Sequence, residues 1–309
     1  MTLLRVDARL LAPTWHALLM HETGLRRVLL PLALLLVTGA LVACDSEAPD
    51  PPEADGFVYA ALGDSYSAAP GLPKVIDRNC ERSDHNYAHL VAREIPGAVL
   101  TDVTCGGASS EGVLQSHTQT AKGVVQRPQI EAVTPDTDLV TFGFGANDAG
   151  FVVAAAADCL LFARFDPEGA PCREANAKRV RGIVRQVRAN LVEALQAVIR
   201  QAPDAQVLVI GYPVLFESER GCPRRFPIAR GDVTFVQDSY SRLNEAVAAA
   251  AAEVGAEFVD VAAASKGHDL CSDDPWINGQ HEDDETGAAE YHPQPAMQRG
   301  IAQLVRDLI

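Results

Sequence analysis

The sequence predicts an α/β fold in which a parallel sheet of five strands carries helices on both faces. Five apolar, β-branched segments (57–62, 98–103, 138–143, 206–211 and 256–260) alternate with stretches of helical period, as a parallel sheet covered on both sides requires. From residue 57 onward there is no internal repeat and no second linker. The roughly 250 residues that remain suit one domain with an ample core.

Taken in chain order, the segment Phe57-Val58-Tyr59-Ala60-Ala61-Leu62 runs directly into Gly63-Asp64-Ser65-Tyr66. That sets a hydroxyl at the carboxyl end of a strand, where open α/β sheets bind ligands. The second segment leads to Cys105-Gly106-Gly107-Ala108 and the third to Gly145-Ala146-Asn147-Asp148. The clearest helix covers about 175–201, where Val180, Ile183, Val184, Val187, Leu191, Leu195 and Val198 recur at steps of three and four; Pro203 ends it. Its charged face is expected to be a solvated surface. A second helix is expected over about 233–254, with Val236, Tyr240, Leu243 and Val247 before an alanine run. A third follows Tyr291-His292-Pro293 over about 295–308. The stretches 149–174 and 212–232, rich in Gly, Pro and Cys, are expected to be irregular loops that rim the site, where such sheets build substrate selection. A disulfide within or across each would limit the entropy of a long insertion.

The ordered set of Ser65, Cys105-Gly106-Gly107-Ala108, Asn147 and His292 resembles the SGNH (GDSL-type) hydrolases, named for their Ser, Gly, Asn and His. The resemblance spans about 57–309. Within the superfamily the chain is most similar to secreted actinobacterial esterases and lipases, in its cysteine layout and in the segment Asp274-Pro275-Trp276-Ile277-Asn278-Gly279. Such a resemblance implies a flavodoxin-like, three-layer fold and a carboxylic ester hydrolase that needs no cofactor. A serine hydroxyl needs a neighbouring base, and His292 stands where the family's catalytic histidine does. His16 and His21 fall in the N-terminal leader, His85 and His89 on a helix near the first expected disulfide, and His117, His268 and His281 have no motif around them. The tetrahedral oxyanion needs preorganised donors. These are expected to be the backbone N–H groups of Ser65 and Gly107 and the side-chain amide of Asn147. Gly107 is preferred to Gly106 because the family's turn runs Cys-x-Gly-Ala.

One position departs from the pattern. Many relatives carry an aspartate three residues before the histidine, and here that residue is Ala289. Two substitutes are open: the backbone carbonyl of Ala289, as in some actinobacterial relatives, or a carboxylate of Glu282, Asp283, Asp284, Glu285 or Glu290. The carbonyl is the expectation; being neutral, it fixes the imidazole tautomer but stabilises the imidazolium less than a carboxylate. The missing aspartate also motivates a reading of another class, a non-catalytic ligand-binding or structural envelope lipoprotein on a hydrolase-like fold.

The N-terminus bears on location. Arg26-Arg27, the apolar stretch Val28–Ala43 and then Cys44 form the pattern of a lipoprotein signal peptide over 1–43, with lipid attached at Cys44. An uncleaved anchor helix is the alternative, and Met20 an alternative start. Residues 44–56 are expected to be a flexible, acidic, proline-rich tether, and 57–309 the hydrolase domain. With Cys44 set aside, Cys80, Cys105, Cys159, Cys172, Cys222 and Cys271 remain. Arithmetic allows fifteen pairings, and the oxidising side of a membrane favours bridging. The resemblance implies the sequential pairing: Cys80 with Cys105, Cys159 with Cys172, Cys222 with Cys271.

No CxxC or CxxH spacing suggests a metal site. The acidic run Glu282–Glu285, with Asp273 and Asp274, lacks EF-hand spacing and is expected to be a solvated loop rather than a calcium site. The chain has net charge −15, and loss of residues 1–43 with their four basic and two acidic groups takes it to −17. Such an excess disfavours nucleic acid and electrostatic docking on anionic lipid. The partners expected are a small-molecule or lipid ester, and the membrane through the lipid on Cys44, with the protein a monomer.

Overall fold

The computed structural model describes residues 56–119 and 124–309. The expectations for the leader, Cys44 and the tether up to residue 55 lie outside those residues. Strands β1 (Val58–Gly63), β2 (Val99–Asp102), β3 (Leu139–Gly143), β4 (Gln206–Ile210) and β5 (Glu257–Val259) form one all-parallel sheet in the order β2-β1-β3-β4-β5. That is the flavodoxin-like order. In β1, β3 and β4 the residues Ala60, Leu62, Leu139, Phe142, Leu208 and Val209 are fully buried. Strands covered on both faces appear as continuous apolar runs rather than as alternation, which is why these three stand out in the sequence. Edge strand β2 exposes Val99 and Thr101.

Four longer helices cover the sheet: α1 (Tyr87–Glu94), α2 (Pro171–Gln201), α3 (Val233–Val254) and α4 (Pro295–Arg306). Helix α2 packs along α3, and α1 along α4. The connection from β1 to β2 runs toward one edge of the sheet, and those from β3 through β5 toward the other. Right-handed crossovers therefore put α1 on one face and α2 and α3 on the opposite one, and α4, which follows the last strand, joins α1 through its packing. Gln298 of α4, fully buried, accepts the N–H of Tyr87 at 2.7 Å and donates to the carbonyl of Tyr66 at 3.0 Å. One side chain thus caps α1 and holds the turn after β1.

Helix α2 begins four residues before the expected start near 175, because its first turn is held from outside. Pro171 sits at the start, and the Asp232 carboxylate accepts the N–H groups of Cys172 (3.0 Å) and Arg173 (2.8 Å), satisfying donors that a helix start otherwise leaves open. The stretch 149–174, expected to be irregular, is largely helical instead. It contains a π-turn over Val153–Ala157 followed by a short α-helix over Asp158–Phe162. Its alanine run favours helix, a signal hidden by the Gly, Pro and Cys that border it. The structure pairs Cys80 with Cys105, Cys159 with Cys172 and Cys222 with Cys271.

Candidate active site

Ser65 opens a single helical turn, Ser65–Ala68, at the carboxyl end of β1. Gly63 lets that turn close against β3, since a Cβ there would stand 2.3 Å from Ser67 Oγ and 3.1 Å from the Gly143 carbonyl oxygen. Asp64 caps the turn, its Oδ1 accepting the Tyr66 N–H at 2.9 Å. Its Oδ2 accepts the hydroxyl of Tyr212, just past β4, at 2.6 Å. The same Tyr212 oxygen accepts the N–H of Ala146 at 3.0 Å, and Asn244 grips the Tyr212 backbone through bonds of 2.8 and 2.9 Å. Burial pushes the Asp64 carboxyl up to about 7 against these hydrogen bonds. The backbone N–H of Ser65 carries no hydrogen bond among the described residues.

The second turn is tied to the first. The Cys105 N–H bonds the Gly63 carbonyl at 3.0 Å, and the Gly106 N–H bonds the Cys80 carbonyl at 2.8 Å. Gly106 is therefore occupied, whereas the N–H of Gly107, whose φ of +77° suits glycine, has no partner among the described residues. Asn147, beyond β3, donates one amide hydrogen to the Ala108 carbonyl at 2.9 Å, which leaves its other amide hydrogen unengaged. Next to it the buried Asp148 carboxylate accepts both the N–H (2.8 Å) and the hydroxyl of Ser110. Burial also raises the Asp148 pKa. Three loops from three adjacent strands are thus locked together by hydrogen bonds.

His292 follows Tyr291, which adopts φ +58°. The turn is closed by the His292 N–H to the Ala289 carbonyl at 3.2 Å. This corrects one expectation: the ring Nδ1 lies 2.7 Å from the carbonyl oxygen of Glu290, not of Ala289. The Ala289 carbonyl already accepts the His292 N–H and the Asn278 amide (3.2 Å). The left-handed residue at 291 turns the Glu290 carbonyl to the ring instead. None of the five candidate carboxylates bonds Nδ1; Asp283 accepts the N–H groups of Glu285 and Thr286. With Nδ1 donating to a carbonyl, Nε2 is the unprotonated nitrogen. Burial holds the imidazole below its usual pKa, and the Glu81 charge offsets this in part. The acidic run forms no arrangement of three or more metal-ligating groups among the described residues.

Ser65, Gly107, Asn147 and His292 line one cavity of about 350 Å³. Its remaining wall is largely apolar, with Leu160, Phe226 and Ile277 among the contributors. Sequence reading missed three residues here. Tyr66 donates its hydroxyl to the Tyr291 carbonyl at 3.0 Å and lies 5.8 Å from the His292 ring; Glu81 joins the cavity wall at φ +55°; Tyr212 braces two of the turns. Glu81 and Tyr212 carry no local signal, because a tyrosine after an apolar strand looks like core. Tyr66 stood inside the recognised motif without a role.

The GDSL-like lipase/acylhydrolase family matches residues 61–299. Lipase 2 of Streptomyces coelicolor is 36% identical over 94% of this chain and 99% of that protein. A lipase of Streptomyces rimosus is 31% identical over 82% of this chain and 88% of its own. Among solved structures, the extracellular lipase from Streptomyces rimosus superposes with a TM-score of 0.67 at 28% identity, covering 82% of this chain and 100% of its own. Phospholipase A1 from Streptomyces albidoflavus gives a TM-score of 0.65 at 28% identity, covering 82% of this chain and 99% of that one.

Proposed function

The chain belongs to the GDSL-like lipase/acylhydrolase family and is a carboxylic ester hydrolase, and from that premise we propose that it is an exported, lipid-anchored enzyme cleaving acyl esters through an acyl-Ser65 intermediate. The observation that carries this is the convergence of Ser65, Gly107, Asn147 and His292 on one cavity, with Gly106 bonded elsewhere. His292 Nε2 takes the Ser65 proton as Oγ attacks the ester carbonyl. The oxyanion accepts hydrogen bonds from the N–H groups of Ser65 and Gly107 and from the free amide hydrogen of Asn147. The imidazolium then protonates the leaving alcohol. Water, deprotonated by the same nitrogen, releases the acid in the second half-reaction.

Because the Glu290 carbonyl is neutral, it fixes the tautomer without adding a counter-charge. The apolar wall suits the acyl chain, and the names of the similar lipases and of the phospholipase A1 support lipid esters as substrates. Export is supported by the leader pattern and by the extracellular lipase among the relatives. Among the described residues no helix is long and apolar enough to cross a membrane. Attachment through Cys44 is supported by the leader pattern that precedes it. Ser65→Ala is expected to abolish hydrolysis of a p-nitrophenyl ester and fluorophosphonate labelling while preserving the circular dichroism of the parent. Retained turnover in that variant overturns the mechanism.

A further inference from the structure

The segment between β3 and α2 has two apolar stripes and only one of them is accounted for. Val152, Ala156 and Leu160 line the Ser65 cavity. The adjoining stripe turns outward, with Val153 45%, Leu161 48% and Phe165 81% exposed, the last being the most exposed large hydrophobic among the described residues. These three recur at steps of eight and four along the segment, the spacing of one helical face, and apolar exposure gathered on one face marks a contact surface.

A second cavity, of about 570 Å³, adjoins it and shares Phe226 with the first. Arg164, Arg220 and Arg230 stand in its wall. Arg230 faces Glu168 at 3.8 Å; among the described residues neither Arg164 nor Arg220 forms an ion pair with a carboxylate. Apolar side chains beside guanidinium groups form a surface that matches a layer of acyl chains under phosphates, since guanidinium binds phosphate oxygens in pairs.

We infer that this face docks on a phospholipid surface, with Leu161 and Phe165 entering the acyl region and Arg164 and Arg220 holding phosphates, so that the Ser65 cavity opens onto the layer. The inference rests on the esterase reading only for what then enters the cavity. Net charge −15 opposes adsorption to strongly anionic layers. A zwitterionic surface, neutral overall but still presenting phosphates, removes that opposition and fits the local complement.

The test uses residues 51–309, because the similar Streptomyces rimosus lipase is covered completely by 82% of this chain and because a lipid on Cys44 would mask weaker binding. Sedimentation with phosphatidylcholine vesicles is measured alongside hydrolysis of the soluble ester p-nitrophenyl butyrate. The parent is expected to sediment with vesicles. Leu161→Ser with Phe165→Ser is expected to lower partitioning at least about ten-fold and to leave soluble-ester turnover within about two-fold. Arg164→Gln with Arg220→Gln is expected to weaken partitioning by a smaller factor. A parent that does not bind, binding that survives the Ser double variant, or binding confined to phosphatidylglycerol vesicles overturns the inference. So does loss of soluble-ester turnover in the Ser variant, which reassigns the ridge to the cavity. If the parent binds inorganic phosphate and the Arg164→Gln, Arg220→Gln variant does not, yet that variant partitions onto vesicles as the parent does, the arginines serve free phosphate and the headgroup assignment fails. Vesicle binding by a parent that does not hydrolyse the soluble ester refutes the esterase reading and leaves docking standing.

Discussion

Two hydrogen bonds to one phenol oxygen connect the halves of the site. Tyr212 reaches the nucleophile turn through Asp64 and the Asn147 turn through the Ala146 N–H, so it acts on position rather than on substrate. Removing that oxygen should misplace the oxyanion donors relative to Ser65. For Tyr212→Phe we expect kcat to fall roughly three- to ten-fold with KM nearly unchanged, the scale of one net hydrogen bond of about 0.5–1.5 kcal/mol, measured by steady-state kinetics. A KM effect alone contradicts the role. His292 supplies a second expectation. Its pKa is lowered mainly by burial, and only the neutral imidazole accepts the Ser65 proton. Activity is therefore lost as pH falls through a midpoint below the ordinary histidine value of about 6.5, read from the acid limb of kcat/KM. A midpoint above that value contradicts the assigned cause.

At the scale of elements, the loop bearing His292 is held by a neighbouring stretch rather than by regular structure. Residues 276–279 run beside 291–294: Asn278 N–H bonds the His292 carbonyl at 2.8 Å, and Gln294 N–H bonds the Trp276 carbonyl at 2.8 Å. The Asn278 amide also donates to the carbonyls of His281 (2.6 Å) and Ala288 (2.8 Å). Asn278→Ala removes these bonds and leaves the buried Ala288 carbonyl with the Asp283 N–H alone. A loss of about 1–3 kcal/mol in urea unfolding is expected, together with reduced turnover; unchanged stability would contradict the bracing. The same loop explains a limit of sequence reading. That a carbonyl would orient the ring was legible from Ala289, but which one was not, because the choice depends on the φ of Tyr291. Likewise the boundaries of β1, β3 and β4 were legible as apolar runs. The helical rim was not, since its alanines lie between residues that ordinarily break helices, and the start of α2 depends on Asp232, about sixty residues away.

Across the whole molecule, Gly107, Ser65, Asn147 and Tyr212 follow β2, β1, β3 and β4, which are consecutive neighbours in the sheet. The order of motifs along the chain was visible in the sequence. Their adjacency in space comes from strand order, which periodicity does not encode and which the family resemblance supplied. The proposed anchoring is tested at this scale. In cells producing the full chain, Cys44→Ser should move the protein from the membrane fraction to the soluble one and abolish incorporation of labelled palmitate; membrane retention without label would favour the uncleaved anchor helix.

The rim between β3 and α2 leaves the sheet beyond Asn147 and re-enters regular structure at Pro171, with Cys159–Cys172 clasping the excursion near its end. Its inner face belongs to the core, where Phe151, Ala154, Ala155 and Cys159 are fully buried, while residues 164–168 are exposed. An engineer who wished to reshape the approach to the cavity would therefore vary that outer arc and leave the inward residues, and the row of strand ends beneath them, alone.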